Sequence, residues 1–167
     1  MKFIFQIHKL QNKPKKVLIL DRDGVVIKDT GYPHRIEELI FEEQNIERIN
    51  LIIKNKKFDL CGFATNQSGV GRKFFSETQF WKCHRFIIKY CLSKGLKIHF
   101  TAVNFFVNQS YYRKPNAGMI NQIKNFYSIN HENVLFIGDK NSDKLAAIKA
   151  NIKYISIQNF KKNEFKK

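Results

Sequence analysis

Val17-Leu18-Ile19-Leu20-Asp21-Arg22-Asp23-Gly24 is the stretch on which the fold turns. Its first four residues are apolar without alternation, the pattern of a strand buried on both faces and hence central in a parallel sheet. The run ends on two carboxylates two residues apart, then a glycine that lets the chain turn away. In open α/β sheets ligands bind beyond the carboxyl ends of strands, so Asp21 and Asp23 stand where chemistry is expected. Taken alone, the segment is also compatible with a plain strand-end turn, since Asp and Gly are turn formers.

Working outward, apolar β-like runs alternate with amphipathic helical patterns. Ile46, Ile49 and Ile53 at helical spacing predict a helix over 43–54. Residues 58–64 read as a second strand, entering Thr65-Asn66-Gln67-Ser68-Gly69. Ser76-Glu77-Thr78-Gln79 is a capping box that opens a helix to about Ser93, where Gly95 is placed to stop it. Residues 98–107 follow as a third strand, Pro115 to Tyr127 as a helix, 134–137 as a fourth strand, a short helix to Ala150, and 154–157 as a fifth strand. This order predicts an α/β fold, a three-layer sandwich with a central, mostly parallel sheet. A chain of 167 residues suits one domain, here 1–167 with its core at about 16–158. The first dozen residues carry little signal, and the Lys-rich tail from Lys161 is expected to fray. Trp81, Phe86 and Tyr90, at helical spacing, are expected in the core.

A second acidic group, Gly138-Asp139-Lys140-Asn141-Ser142-Asp143, repeats the logic of the first: an apolar run, then acids where a helix begins. Asp139 could ligate a hard cation, with Asp143 facing the same way one turn later. Helix capping by Asn141 or Ser142 is the plainer alternative. Between the two acidic groups, Thr65 offers a hydroxyl and Asn66 an amide to phosphate oxygens. Arg113 and Lys114, just before Pro115, supply a planar fork and a compact cation suited to the same anion. Each fragment is weak alone; four in order, each at a strand exit or helix entrance, form a phosphate-handling constellation.

Composition narrows the partners. The net charge of +16 is mostly lysine spread along the chain, beside many Asn, Ile and Phe, as an AT-rich coding sequence gives. The densest groups are Lys13–Lys16, Lys54–Lys57 and the tail. Arginine, the residue of bidentate base contacts, is scarce, so no nucleic-acid partner is expected, though a positive field would draw in a phosphorylated substrate. Cys61, Cys83 and Cys91 have no ligand spacing and read as small buried hydrophobes of a reducing compartment. His8, His84, His99 and His131 likewise lack ligand spacing and are expected at the surface or at helix ends. No run approaches the ~20 apolar residues that span a bilayer, and the start has no secretory pattern, so a cytoplasmic protein without a membrane partner is expected.

The ordered set of D-x-D, Thr, Lys and G-D-x-x-x-D resembles the haloacid dehalogenase (HAD) superfamily of phosphatases. "LDRDGVVIKDTGYPHRIEEL", "ATNQSGVGRKFFSETQF", "YRKPNAGMI" and "FIGDKNSDKLAA" are similar to its histidinol-phosphate and heptose-bisphosphate phosphatase subfamily. Gly31-Tyr32-Pro33-His34, Phe75–Phe80 and Gly138-Asp139-Lys140 tilt the likeness toward the heptose-bisphosphate members, and the match covers about Val17 to Ile157. Subfamily members commonly carry a Cys/His zinc loop before Arg-Lys-Pro. Asn104–Tyr112 holds neither residue type, so no structural zinc is expected, and Tyr111 and Tyr112 are expected to supply packing in its place.

The resemblance implies a HAD-like, Rossmannoid core and a Mg²⁺-dependent phosphomonoesterase acting on a sugar phosphate. It casts Asp21 as nucleophile, Asp23 as general acid/base, and Thr65 and Lys114 as holders of the phosphoryl group, with Lys114 also offsetting charge between Asp21 and Asp139. It casts Asp21, the backbone carbonyl of Asp23, and Asp139 as Mg²⁺ ligands, with Asp143 in the outer coordination sphere. Asn66, Arg113, Lys140 and His34 are the expected substrate contacts, with Arg113 suited to a second phosphate. The spacings between motifs leave no room for a cap domain, and a monomer is expected. Histidinol phosphate, a polynucleotide 3′-phosphate, or nucleic-acid binding on an inactive HAD fold remain as alternatives; no P-loop accompanies the motifs.

Overall fold

Six strands form one sheet in the order β1-β4-β3-β2-β5-β6 in a computed structural model that describes residues 2–9 and 13–159. They are β1 (Phe3–Ile7), β2 (Val17–Leu20), β3 (Leu60–Asn66), β4 (Phe100–Asn104), β5 (Val134–Gly138) and β6 (Lys153–Ser156). All neighbours pair in parallel except β1, which runs antiparallel to β4 with Phe3 opposite Asn104. The helices are α1 (Glu43–Lys56), the single turn α2 (Ser68–Gly71), α3 (Glu77–Ser93), α4 (Gly118–Tyr127) and α5 (Asn141–Lys149).

β2 lies between β3 and β5, and all four of its side chains are fully buried. Its alternation divides the core. Leu18 and Leu20 face α1 and α3, against Ile46, Ile49, Cys83 and Ile87. Val17 and Ile19 face α4 and α5, against Met119, Ile123 and Ala146. Burial of this kind stabilises by about 1.5–3 kcal/mol per large aliphatic side chain, so the central strand anchors both helical layers.

α3 begins at the expected capping box, Ser76 Oγ accepting from the Gln79 N–H at 3.1 Å. Its buried stripe differs from the expected one: Phe80, Cys83, His84, Ile87 and Cys91 face inward, whereas Phe86 is 38% exposed and Trp81 and Tyr90 are half-buried. The true stripe keeps i, i+3, i+4 spacing but includes a histidine, which a reading by hydrophobicity passes over. His84 and His99 are thus not surface residues, whereas His8 is exposed as expected. His84 and His8 both meet the Thr101 hydroxyl through Nε2, and His99 Nδ1 lies 3.2 Å from the Cys61 backbone; His8 and His131 are exposed. Burial pushes the His84 imidazole well below its usual range, so it is neutral. The cysteines are buried as expected.

β1 was not anticipated. Phe3, Phe5 and Ile7 alternate onto the α4 side of the sheet and Ile4 onto the other, closing the β4 edge. Tyr112 stacks on Phe3 at 3.9 Å, while Tyr111 is 61% exposed, so one of the two tyrosines supplies the expected packing. The α4 helix starts at Gly118, three residues after the expected Pro115. Among the described residues no separate domain is inserted between β2 and β3 or between β3 and β4, and no helix is long and apolar enough to cross a membrane. The tail from Lys161 lies outside the described residues.

Candidate active site

Because β2, β3, β4 and β5 run in parallel, their carboxyl ends meet on one edge of the sheet. Asp21 leaves β2, its N–H donating to the Ile137 carbonyl at 2.9 Å. Thr65 and Asn66 close β3, and Asp139 follows β5. A cavity of about 290 Å³ opens there, lined by Asp21, Asp23, Thr65, Asn66, Arg113, Lys114 and Lys140 together with Asp29, Tyr32, Gln67 and Ser68.

Lys114 is the hub. Its Nζ lies 2.8 Å from Asp21 Oδ1 and 2.7 Å from Asp143 Oδ1, donates to the Ala64 carbonyl at 2.9 Å, and is 3% exposed. Burial alone would depress its pKa, but Asp21 and Asp143 hold it above the ordinary value. Lys114 therefore touches Asp21 and Asp143 directly, and it also offsets the charge of Asp139 from a greater distance. Asp143 is fully buried, and its Oδ2 accepts from the Lys140 N–H at 3.1 Å. Asn66 fastens the backbone of Lys114 with reciprocal bonds, Nδ2 to its carbonyl and Oδ1 from its N–H.

The carboxylates of Asp21, Asp139 and Asp143 offer oxygens within 4.8 Å of one another. Burial raises Asp21 to about 7 against the opposing pull of Lys114, and burial also raises Asp139. Asp139 Oδ1 is buried without a hydrogen-bond partner. A Cβ on Gly24, whose φ is +86°, would fall 2.2 Å from Asp139 Oδ2, so the glycine is what admits this carboxylate beside the turn. Hard oxygens, crowded negative charge and an orphaned carboxylate oxygen fit a small divalent cation.

The remaining expected residues divide. Arg113 lines the cavity and donates Nη1 to the Phe106 carbonyl at 2.9 Å. Lys140 lines it too, ion-paired with Asp29. His34 does not: its ring stacks on Phe75, its Nδ1 lies 2.9 Å from the Tyr32 carbonyl, and it borders a separate hollow with Ile36, Gln79 and Lys82. The loop's glycine and tyrosine, Gly31 and Tyr32, face the cavity instead. Sequence reasoning missed Asp29, Tyr32, Gln67 and Arg22. All four lay in segments already singled out, Arg22 between the two aspartates, Asp29 and Tyr32 before and within Gly31–His34, and Gln67 in the Thr65–Gly69 run, but none was picked as a site residue.

A parallel sheet bringing a buried carboxylate, a buried lysine and a carboxylate cation seat to one strand edge defines an enzyme of phosphate esters. Residues 111–161 match the HAD-hydrolase-like family. The D-glycero-alpha-D-manno-heptose-1,7-bisphosphate 7-phosphatase of Campylobacter jejuni is 32% identical over 149 residues, 89% of this chain and 86% of that protein. The D-glycero-beta-D-manno-heptose-1,7-bisphosphate 7-phosphatase of Pasteurella multocida is 31% identical over 147 residues, 83% of this chain and 79% of that protein. The solved D,D-heptose 1,7-bisphosphate phosphatase of B. bronchiseptica, complexed with magnesium and phosphate, is similar with a TM-score of 0.75 and 26% identity, over 83% of this chain and 78% of that one. The chain belongs to the HAD superfamily, in the family of these heptose-bisphosphate phosphatases, and is a phosphoric monoester hydrolase.

Proposed function

We propose that the protein removes the 7-phosphate of D-glycero-D-manno-heptose 1,7-bisphosphate through a phosphoryl group carried transiently on Asp21. The observation that carries this reading is the pairing of Asp21 with Lys114 at 2.8 Å in a cavity that also presents Arg113 and Lys140. A site for one phosphate needs a single cationic seat; a bisphosphate profits from a second cation, and Arg113 offers a fork suited to it. Similarity to proteins named for this activity over nearly nine-tenths of the chain supports the same substrate.

In the first half-reaction an Asp21 oxygen bonds to phosphorus as the bond to the sugar oxygen breaks, and Asp23 gives that oxygen its proton. In the second, water bonds to phosphorus, Asp23 takes its proton back, and inorganic phosphate leaves Asp21. Lys114 and Thr65 hold the equatorial oxygens, so positioning and charge do most of the work. Asp21, Asp139 and the Asp23 carbonyl would hold Mg²⁺, with Asp143 in the outer sphere and paired with Lys114, and the bound ion would offset the charge between an anionic carboxylate and an anionic phosphate.

The test is phosphate release, with and without Mg²⁺, from the α and β anomers, histidinol phosphate and a 3′-phosphorylated oligonucleotide. Mg²⁺-dependent turnover of one heptose anomer, lost by more than about 10³-fold in Asp21→Asn, is the expected result. Turnover of the oligonucleotide or of histidinol phosphate alone overturns the substrate assignment.

A further inference from the structure

Arg22 lies between the two aspartates of the D-x-D pair, and its side chain is 0% exposed. Burying a guanidinium costs several kcal/mol unless an anion and hydrogen bonds compensate. The anion is Asp23: Nε donates to Oδ1 at 2.9 Å and Nη2 to Oδ2 at 3.1 Å, the two-toothed geometry of a carboxylate fork. The guanidinium is roofed by α3, its carbon 5.4 Å from the Phe80 ring centre. Nη1 is buried with no hydrogen bond, so the fork's orientation is set by Asp23 and Phe80 at the expense of its own satisfaction. From the opposite side Gln67 Nε2 donates to Asp23 Oδ2 at 2.6 Å and to Thr65 Oγ1 at 3.0 Å. Asp23 itself stays in contact with the cavity.

A side chain serving only the core at position 22 would be apolar, since replacing a buried ion pair by well-packed hydrophobes is neutral or stabilising. The fork instead fixes the plane of a carboxylate that lines the cavity. We propose that Arg22 and Gln67 form a clamp that positions Asp23 for proton transfer to the leaving oxygen, with Gln67 also tying that carboxylate to the phosphate-holding Thr65. The clamp rests on the role given to Asp23 above. Neither Arg22 nor Gln67 exchanges a proton; both are positioning residues, acting through Asp23.

Leaving-group chemistry separates positioning from support of the fold. An alkyl phosphate needs its departing oxygen protonated, whereas 2,4-dinitrophenyl phosphate releases an anion that needs no proton. Because kcat/KM reads only the steps through departure of that group, it isolates the acid role of Asp23 from its later role as base. Arg22→Lys keeps the buried charge and loses the fork; Gln67→Met removes the other arm without leaving a buried charge, and serves alone if Arg22→Lys does not fold. Expected is a loss of kcat/KM on the alkyl ester at least about 10-fold greater than on the dinitrophenyl ester, which shares any effect passed through Thr65 but needs no proton for its leaving group. Equal losses on both esters, or none on either, overturn the clamp. Crystal structures of the variants decide the matter independently of any substrate. A displaced Asp23 carboxylate supports the clamp even where the heptose assignment fails, and one that keeps its place in both variants overturns it.

Discussion

Asp21 and Lys114 attract each other across 2.8 Å, yet burial holds the Asp21 carboxyl up at about 7. The folded protein therefore binds a proton there more tightly than the unfolded chain, whose carboxyl titrates near ~3.9. Stability from this group is fully present below that unfolded value and is lost as pH rises through about 7. In EDTA the Tm is expected to fall between pH 5 and pH 8. A cation seated on Asp21 and Asp139 displaces the proton, so added Mg²⁺ should raise Tm more at pH 8 than at pH 5. Differential scanning fluorimetry at the two pH values reads this, and an equal gain at both would place the ion elsewhere. Asp21, Asp23 and Asp139 were legible in the sequence as candidates because each follows a buried run, and Lys114 because it is a cation just before Pro115. Arg22 was not: in a linear reading it is the variable letter between two aspartates, and its fork exists only where α3 folds over it.

At the scale of elements, β2 was read to the residue, since four consecutive apolar residues on a strand buried on both faces leave little ambiguity. Glu43–Lys56 and Glu77–Ser93 were found by period and cap. β1 escaped because its partner lies about a hundred residues away and nothing local announces an antiparallel pairing with β4. Its contribution is measurable. Phe5 meets the rings of Phe100, Phe126 and Tyr127, so Phe5→Ala is expected to cost about 2–4 kcal/mol. Two strands, β4 and β3, separate β1 from the strand that Asp21 leaves, so kcat should be unchanged below the unfolding transition. Urea denaturation followed in parallel with activity checks both halves, and a kcat that falls ahead of unfolding would tie β1 to the site.

For the whole molecule, the net charge of +16 accompanies a cavity lined in part by Arg113, Lys114 and Lys140, where the proposed substrate would bring its phosphates. A field of that sign accelerates encounter with a phosphate ester and is screened by salt, with a Debye length of about 10 Å at 0.1 M. Between 20 and 300 mM salt at fixed Mg²⁺, kcat/KM is expected to fall several-fold while kcat changes little; stopped-flow or steady-state assays would show it. A flat profile would mean that the lysines serve solubility alone. The charge and its pull on a phosphorylated substrate were plain in the composition; what the fold adds is that Arg113 and Lys140 line the same cavity.

No inserted domain covers that mouth among the described residues. On the proposed mechanism the phosphorylated Asp21 then waits in a chamber shared with the medium, and water holds no monopoly as acceptor. Methanol or glycerol at molar concentration should divert part of the phosphoryl flux into new esters. The ratio of transferred to released phosphate, read by ³¹P NMR, would gauge how open the chamber is in solution.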